Sequence, residues 1–276
     1  MRLGIVTIPQ STPGLEPSAI IDRITTFGER VEALEFSGLW VTDAFGRGRP
    51  TLDPLIFLGA LCSVTKTIEL GTCVVQIPLR HPVEHAHRVQ TLNLLSAGRL
   101  RFGAGTGSTK LDFDAVEADF DARFKTLPKS LEIMRRTWAG EAVFGPSISV
   151  WPGTEGGPPV LLGAWRSERW INLAARHCQG WISSGIHSKW EDLEIGIGMY
   201  RAAGGNRAVL ANILTDLRPD APANPMFAHA NVSIQGSAAV GRDTLKRLVD
   251  LGFDDALLIC PFDDPDQLEA IRGLAG

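Results

Sequence analysis

The sequence predicts a single (β/α)8 barrel, and three observations support this. Eight short apolar runs alternate with helical patterns along the 276 residues, at about the spacing that a barrel of roughly 250 residues requires. Residues 68–107 read as a strand, a helix and a second strand, which favours a parallel pair buried on both faces. The pattern stops after the eighth unit. An open doubly wound sheet would also explain the alternation, but eight units followed by a stop favour closure.

The clearest unit covers residues 68–98. Residues 68–77 form a run rich in β-branched and apolar side chains, which is typical of a buried strand. Pro78 ends the run because proline brings no N–H group to a strand ladder, and Pro82 suits the first turn of a helix. The apolar face of that helix comprises Val83, Ala86, Val89, Leu92 and Leu95. Gly98 ends the helix.

A strand predicted over residues 100–107 runs into a glycine cluster, Gly103, Gly105 and Gly107. In parallel α/β folds, ligands bind at the carboxyl ends of the strands. Because three side chains are missing in this short stretch, we expect the backbone here to approach a flat or anionic ligand closely. The simpler interpretation is a tightly packed strand exit without a ligand.

The same rhythm extends over the rest of the chain, which we interpret as one domain, 1–276, without a linker. The remaining strands are predicted at 3–8, 39–44, 160–165, 180–185, 208–217 and 255–260. The remaining helices are predicted at 17–36, 53–64, 118–138, 168–177, 190–203, 237–251 and 265–274. Pro128 predicts a kink or a junction of two helices. Residues 108–117 read as a polar stretch, 140–159 as an insertion containing a short hairpin, and 218–230 as a lid-like loop.

Composition excludes several classes of protein. The net charge is −4 and no Lys/Arg-rich run appears, so neither nucleic acid nor an anionic membrane is an expected partner. Four scattered cysteines without a CxxC motif favour a reducing compartment over a disulfide framework. The chain shows neither a signal-peptide layout nor a membrane-spanning apolar run, so we expect a cytoplasmic protein.

Two short motifs match binding patterns only in part. The segment GAGTGSTK is not a phosphate-binding P-loop, because Lys110 follows Thr109, and it is not GxGxxG, because Ser108 replaces the third glycine. The segment HPVEH matches an H-x-x-E-H zinc pattern. His81 precedes Pro82, however, which biases it away from helical conformation, and no acidic third ligand is evident. We therefore predict no metal site.

Several side chains near the predicted strand ends are candidates for ligand contacts. Asp43 ends the second strand, where a carboxylate is well placed for function. Arg80 and His81 follow the third strand, where a salt bridge to a neighbouring loop is the simpler interpretation. Trp165 and Trp181 are candidates to line a flat ring, although core packing is the commoner use of tryptophan. His187, beyond the sixth strand, is the one histidine placed to act as an acid.

The central segment, LGTCVVQIPLRHPVEHAHRVQTLNLLSAGRLRFGAGTG, resembles the corresponding segment of the bacterial luciferase-like oxidoreductases. GLWVTDAF, FKTLPKSLEIMRRTWAGE, PPVLLGAW and ARHCQGWISSG are similar to further parts of that family. The resemblance extends over residues 1–185, and more weakly through SAAVGRDTLKRLVDLGFDDALL. It implies a homodimeric barrel that binds either FMN or the deazaflavin coenzyme F420 over the carboxyl ends of its strands.

The resemblance also implies roles for individual residues. Asp43 resembles a ring-contacting acid, and Gln76 resembles the position beside which deazaflavin members carry a bulge, often with a non-proline cis peptide. Thr106 and Gly107 resemble the pair that touches the ring. The positions that resemble the phosphate-holding loops are Gly163, Ala164, Ser183, Ser184 and Gly185.

Two positions depart from the family pattern. Deazaflavin dehydrogenases of the family place a histidine after the acid of strand two, where this chain has Ala44. The sugar-phosphate members place a glutamate after the Thr-Gly of strand four, where this chain has Ser108. The usual acid/base pair for sugar-phosphate oxidation is therefore not expected. Hydride transfer to an activated alkene or imine needs less assistance from the protein, because the cofactor supplies the chemistry.

The leading hypothesis is an oxidoreductase that transfers a hydride between bound F420, or alternatively FMN, and a small organic substrate. One alternative is a non-catalytic flavin- or deazaflavin-binding protein, and another is an FMN-dependent monooxygenase. A barrel lyase or isomerase would need a lysine or paired carboxylates at the strand ends, where the sequence offers chiefly Asp43. His187 is the candidate catalytic residue.

Overall fold

The computed structural model describes residues 1–10, 16–45, 47–48, 50–218, 224–261 and 264–275. Its strands form one sheet in which every neighbouring pair is parallel. β10 pairs with β1 on one side and with β8 on the other, which closes the sheet into a barrel. The predicted (β/α)8 barrel is therefore confirmed, and the open doubly wound sheet is excluded.

The strands follow the predicted order. Their bounds are β1 Arg2–Thr7, β2 Gly38–Val41, β3 Glu69–Thr72, β4 Val75–Gln76, β5 Leu100–Gly105, β6 Val160–Gly163, β7 Gly180–Ser184, β8 Ala208–Asp216, β9 Ser233–Gln235 and β10 Asp255–Ile259. β3 and β4 share one position in the barrel wall, since both pair with β5. The short β9, which the sequence did not predict, pairs with the carboxyl end of β8.

Nine α-helices lie within the described residues, and several begin at prolines as predicted. Their bounds are α1 Pro17–Ala33, α2 Pro54–Val64, α3 Pro82–Leu95, α4 Lys110–Asp114, α5 Arg123–Trp138, α6 Glu168–His177, α7 Trp190–Ala202, α8 Ala238–Leu251 and α9 Pro265–Arg272. At α2, the Asp53 side chain accepts hydrogen bonds from the Leu55 and Ile56 amides, because the first N–H groups of a helix have no partner within it.

Five local predictions were wrong or incomplete. The third predicted strand, 68–77, is interrupted, and its Cys73–Val74 peptide bond is cis. The polar stretch 108–117 contains α4, and the helix predicted at 118–138 begins only at Arg123 and continues through Pro128. Residues 140–159 contain no strand, so no hairpin forms there. Of the predicted lid-like loop, 219–223 lie outside the described residues, and Pro225–His229 form a 3-10 turn.

The amino-terminal end of the barrel is closed by charged side chains at the starts of the strands. Glu69 forms ion pairs with Arg2, Arg101 and Arg207, each at 2.7 Å. Asp255, only 1% exposed, pairs with Arg2 at 2.6 Å and with Arg207 at 2.9 Å. We call these five residues the basal ion cluster. The cluster combines three arginines with two carboxylates. The buried Asp255 carboxylate is compensated by the guanidinium groups of Arg2 and Arg207.

Apolar side chains fill the barrel above this cluster. Trp40 is fully buried, and Gly71 leaves room for it, because a Cβ atom at position 71 would lie 2.2 Å from the indole ring. Further interior side chains are Val6, Leu161, Ile182, Val209, Leu257 and Ile259. Apolar side chains therefore fill the barrel interior next to the basal ion cluster. No helix within the described residues combines the length and apolar character that a bilayer span needs.

Candidate functional site

A cavity of about 780 Å³ opens at the carboxyl ends of the strands. Every predicted cofactor residue except Gly185 lines it, and so does His187. These residues are Asp43, Gln76, Thr106, Gly107, Gly163, Ala164, Ser183 and Ser184. Across the described residues, no group of three or more His, Cys, Asp or Glu side chains is placed to hold a metal ion.

The floor of the cavity is formed in part by Val74, which lies between β3 and β4. A Cβ atom at Gly105 would lie 2.4 Å from a Val74 methyl group, and one at Gly163 would lie 3.0 Å from the other. Both glycines therefore make room for Val74. The result is an apolar surface on which a flat ring can lie.

Gly105 and Gly107 of the glycine cluster line the cavity, and the missing side chains of the cluster also make room for protein atoms. A Cβ atom at Gly103 would lie 1.8 Å from the Thr72 carbonyl oxygen. At Gly107, φ is +79° and a Cβ atom would lie 2.8 Å from the Phe113 ring. The glycines therefore shape the site in part through the side chains that pack against them.

Asp43 is held firmly beside the cavity. Its two carboxylate oxygens accept hydrogen bonds from Arg80 Nη1 at 2.7 Å and Nη2 at 3.0 Å. Oδ2 also accepts a hydrogen bond from the backbone N–H of Gln76 at 2.9 Å. The salt bridge predicted as the simpler role of Arg80 is confirmed. The positive charge of Arg80 compensates the Asp43 carboxylate, so Asp43 borders the cavity as part of an ion pair.

Asp112 organises the same wall, and sequence analysis missed it. Its side chain is fully buried and accepts hydrogen bonds from the Phe45 amide, from Arg47 and from Gln76 Nε2 at 2.8 Å. Because Gln76 Nε2 is bound to Asp112, the amide orientation of Gln76 is fixed. Asp112 lies on α4, in a stretch that was predicted only to be polar.

The two positions that depart from the family pattern both face the cavity. Ala44 and Ser108 line it together with Thr106, whose hydroxyl donates to the Gly107 carbonyl oxygen at 3.3 Å. A histidine and a glutamate at positions 44 and 108 would border the same cavity. This chain therefore lacks the usual acid/base pair at the place where a ligand would meet it.

The opposite wall carries Trp165 and His187, whose rings stack at a centroid distance of 4.1 Å. Burial lowers the pKa of His187, so the neutral imidazole is its resting form near pH 7. Trp181 does not line the cavity, and the hypothesis that it lines a ring is wrong. It is fully buried in the core and donates to the Ala164 carbonyl oxygen at 2.8 Å.

The residues after β7 have different environments. The Ser183 hydroxyl is bound to the Ser188 hydroxyl at 2.9 Å. Ser184 Oγ is buried and no hydrogen-bond partner for it lies among the described residues. Gly185 packs against the next strand, since a Cβ atom there would lie 3.0 Å from the Val232 carbonyl oxygen and 3.1 Å from that of Asn212. Gly185 therefore contacts the backbone next to the cavity and does not line the cavity itself.

Two arginines at the rim were also not predicted. The Arg123 guanidinium lies 3.6 Å from the ring centroid of Phe120 and 4.3 Å from that of Phe124. Arg166 is exposed and precedes Ser167, the residue before α6. Both arginines line the cavity, and no ion pair of either appears among the described residues. Guanidinium groups beside a helix start form an electrostatically favourable environment for an anion.

Comparisons with known proteins agree with this geometry. The family model described as luciferase-like monooxygenase matches residues 1–218. An uncharacterised protein of Mycobacterium tuberculosis is 37% identical over 144 residues, which cover 49% of this chain and 50% of that protein. The match to this relative thus spans about half the length of each protein.

Solved structures show the same fold at low sequence identity. Monooxygenase RslO1 from Streptomyces bottropensis superposes with a TM-score of 0.84 at 20% identity, covering 99% of this chain and 98% of that one. The coenzyme F420-dependent tetrahydromethanopterin reductase from Methanopyrus kandleri superposes with a TM-score of 0.75 at 16% identity, covering 98% and 96%. Because the family model covers most of the sequence, the chain belongs to the luciferase-like monooxygenase family.

Proposed function

We propose that this protein is an oxidoreductase that transfers a hydride between bound F420, or alternatively FMN, and a small organic substrate. The observation that carries the proposal is the cavity of about 780 Å³ at the carboxyl ends of the strands. Its volume lies within the range of about 300–1,000 Å³ that is typical of small-molecule sites. F420 is preferred over FMN by resemblance to the deazaflavin members of the family.

The residues present suit a flat ring with an anionic side chain. Val74 provides an apolar surface for one face of the ring. Ser184 Oγ and Asn212 Oδ1 are buried polar atoms with no hydrogen-bond partner among the described residues. Arg166 and Ser167 at the rim would hold the phosphate. The cofactor-binding residues that we propose are Asp43, Gln76, Thr106, Gly107, Gly163, Ala164, Ser183, Ser184 and Gly185, the last as a backbone support.

A bound flavin or deazaflavin would supply the hydride chemistry, and the protein would position and shield the reactants. Trp165 and His187 form the wall on which a substrate would lie. Because burial lowers the pKa of His187, we propose that its neutral imidazole accepts a proton from an alcohol-like substrate or returns one in the reverse direction.

Two further candidates follow from specific observations. The resemblance in fold to a monooxygenase of known structure supports an FMN-dependent monooxygenase, in which reduced flavin reacts with oxygen. The alanine at position 44 and the serine at position 108 leave the cavity without the usual acid/base pair, which supports a non-catalytic flavin-binding protein. Only the first would consume oxygen, and only the second would bind cofactor without turnover.

The decisive experiment is titration of the purified apoprotein with FMN and with F420, followed by absorbance and fluorescence. We expect micromolar or tighter binding of one of them, and weaker binding by Thr106→Phe, which narrows the cavity. The cofactor that binds is then supplied in reduced and oxidised form with alkenes, imines, alcohols and aldehydes, with and without oxygen. If neither cofactor binds at micromolar concentration, the proposed function is wrong.

We further propose that the protein is a single-domain cytoplasmic homodimer. Ile56 on α2 is 73% exposed and Leu95 on α3 is 59% exposed, and these two helices are neighbours in the barrel. Exposed apolar side chains on adjacent helices are typical of a subunit interface.

A further inference from the structure

β8 contains a bulge at the level of the cavity. The register between β8 and β10 shifts between Ala256 and Leu258. Opposite Leu257, β8 has two residues, Ala211 and Asn212, where a regular ladder has one. Asn212 has φ of +57°, a left-handed conformation that asparagine tolerates better than other residues with side chains. Bulges of this kind redirect a side chain next to a functional site.

The bulge turns Asn212 towards the cavity, which it lines. Its side-chain oxygen Oδ1 is buried and has no hydrogen-bond partner among the described residues. The bulge is also supported from behind, because Gly185 packs closely against the Asn212 carbonyl oxygen. A buried polar atom without a partner is costly unless a ligand supplies one.

Ser184 lies beside Asn212 on the neighbouring strand. Ser184 pairs in register with Ala211, the residue before Asn212. It is 5% exposed, lines the same cavity, and its Oγ is buried without a hydrogen-bond partner in the described part of the chain. Adjacent strands are about 4.8 Å apart, so the two side chains border one spot on the cavity wall. They do not bond to each other.

We propose that Asn212 and Ser184 together recognise the imide edge of the cofactor ring, a carbonyl–N–H–carbonyl sequence that FMN and F420 share. The asparagine amide offers one acceptor and two donors, and the serine hydroxyl offers a donor. Such a set is complementary to an N–H flanked by two carbonyl groups. The inference rests on the proposed function and adds two specificity-determining residues to it. Nothing in the sequence pattern of Asn212 indicated such a role.

The test compares a cofactor with its derivative methylated at the imide nitrogen, using whichever of FMN and F420 binds in the titration above. Methylation removes the N–H donor and leaves the rest of the ring unchanged. For the wild-type protein we expect methylation to weaken binding by about tenfold or more, since a buried acceptor would lose its partner. In Asn212→Gly with Ser184→Ala, we expect the parent cofactor to bind about tenfold more weakly and methylation to change binding by less than about threefold.

The substitutions are chosen to keep the backbone intact. Glycine accepts the positive φ of position 212 without strain, and Ser184→Ala removes one oxygen atom. Ser188→Ala is the matched control. It deletes a nearby buried hydroxyl whose partners are the Ser183 hydroxyl and the Trp165 carbonyl oxygen, and it should leave the effect of methylation at its wild-type value. Thermal unfolding confirms that each variant is folded.

The outcomes separate this inference from the proposed function. If a cofactor binds and its methylated derivative binds equally well to the wild-type protein, the imide assignment is wrong and the proposed function stands. If methylation weakens binding equally in the wild-type and the doubly substituted protein, other residues recognise the imide, and its assignment to Asn212 and Ser184 is wrong. If neither FMN nor F420 binds, both proposals fall together.

Discussion

The Arg80 guanidinium is paired with both oxygens of the Asp43 carboxylate, Nη1 with Oδ2 at 2.7 Å and Nη2 with Oδ1 at 3.0 Å. The Asp43 side chain is 2% exposed. We expect Arg80→Met to lower the free energy of unfolding by about 3–5 kcal/mol, because it leaves a buried carboxylate without a compensating charge. Urea denaturation of the two proteins measures the difference.

The double variant Arg80→Met with Asp43→Asn is the control for this prediction. Removing both charges abolishes the unpaired carboxylate, so we expect it to be more stable than Arg80→Met. Equal stability of the single and double variants would show that the loss arises from packing of the arginine and not from the charge pair.

The buried Asp112 carboxylate ties the loop after β2 to α4, through Arg47 Nη2 at 2.6 Å and the Phe45 amide at 3.2 Å. We expect Asp112→Asn to release this loop, since the amide replaces a charged acceptor with a neutral group. Limited trypsin digestion should then cleave after Arg47 about tenfold faster than in the wild-type protein. Asp114→Asn alters an exposed carboxylate paired with Lys110 and should leave the cleavage rate unchanged.

Burial, reinforced by the nearby charges of Arg80 and Arg88, lowers the pKa of His85 to about 3. The unfolded chain binds a proton at this histidine below about pH 6.5, and the folded protein does not. The stability that neutral His85 provides is therefore complete above pH 6.5 and decreases as the pH falls, by about 1.4 kcal/mol per pH unit. Urea denaturation between pH 7 and pH 5 measures this slope.

A matched pair of variants isolates that effect. His85→Met should lower the slope of stability against pH by the contribution of one bound proton, about 1.4 kcal/mol per pH unit. His87→Met changes an exposed position of the same helix and should leave the slope close to that of the wild-type protein. An unchanged slope in His85→Met would mean that the buried imidazole is protonated in the folded protein.

The exposed apolar surface of α2 and α3 predicts the subunit interface. We expect the wild-type protein to be a dimer at micromolar concentration, and Ile56→Asp to be a monomer, because a carboxylate in an apolar interface is left unpaired. Light scattering coupled to gel filtration measures the mass. Val249→Asp, at a 48% exposed position on α8, is the control and should remain dimeric. A wild-type monomer, or a dimer that survives Ile56→Asp, would contradict the assignment.

The features that sequence analysis predicted well are local ones. The alternation of apolar runs with helical patterns, and the position of Pro82 at a helix start, depend on residues within one turn or one strand. The closed barrel follows from these repeats, since eight parallel units of this length have few other ways to bury both faces.

The features that were missed depend on contacts between distant parts of the chain. A salt bridge of Arg80 was predicted, but its partner Asp43 lies 37 residues away and was not identified. Gln76 is 36 residues from Asp112, so no periodicity connects these two residues. The role of Gly105 depends on Val74, which lies between β3 and β4. The bulge that presents Asn212 is a mismatch between two strands, which a single strand cannot reveal.

The basal ion cluster of Arg2, Glu69, Arg101, Arg207 and Asp255 has a consequence for how the proposed ligands would reach the site. Because these charged side chains lie at the amino-terminal end of the barrel, a cofactor and a substrate would both enter through the cavity at the opposite end. A substrate stacked on a ring that rests on Val74 would cover that ring. We therefore expect the proposed cofactor to bind before the substrate and to leave after it.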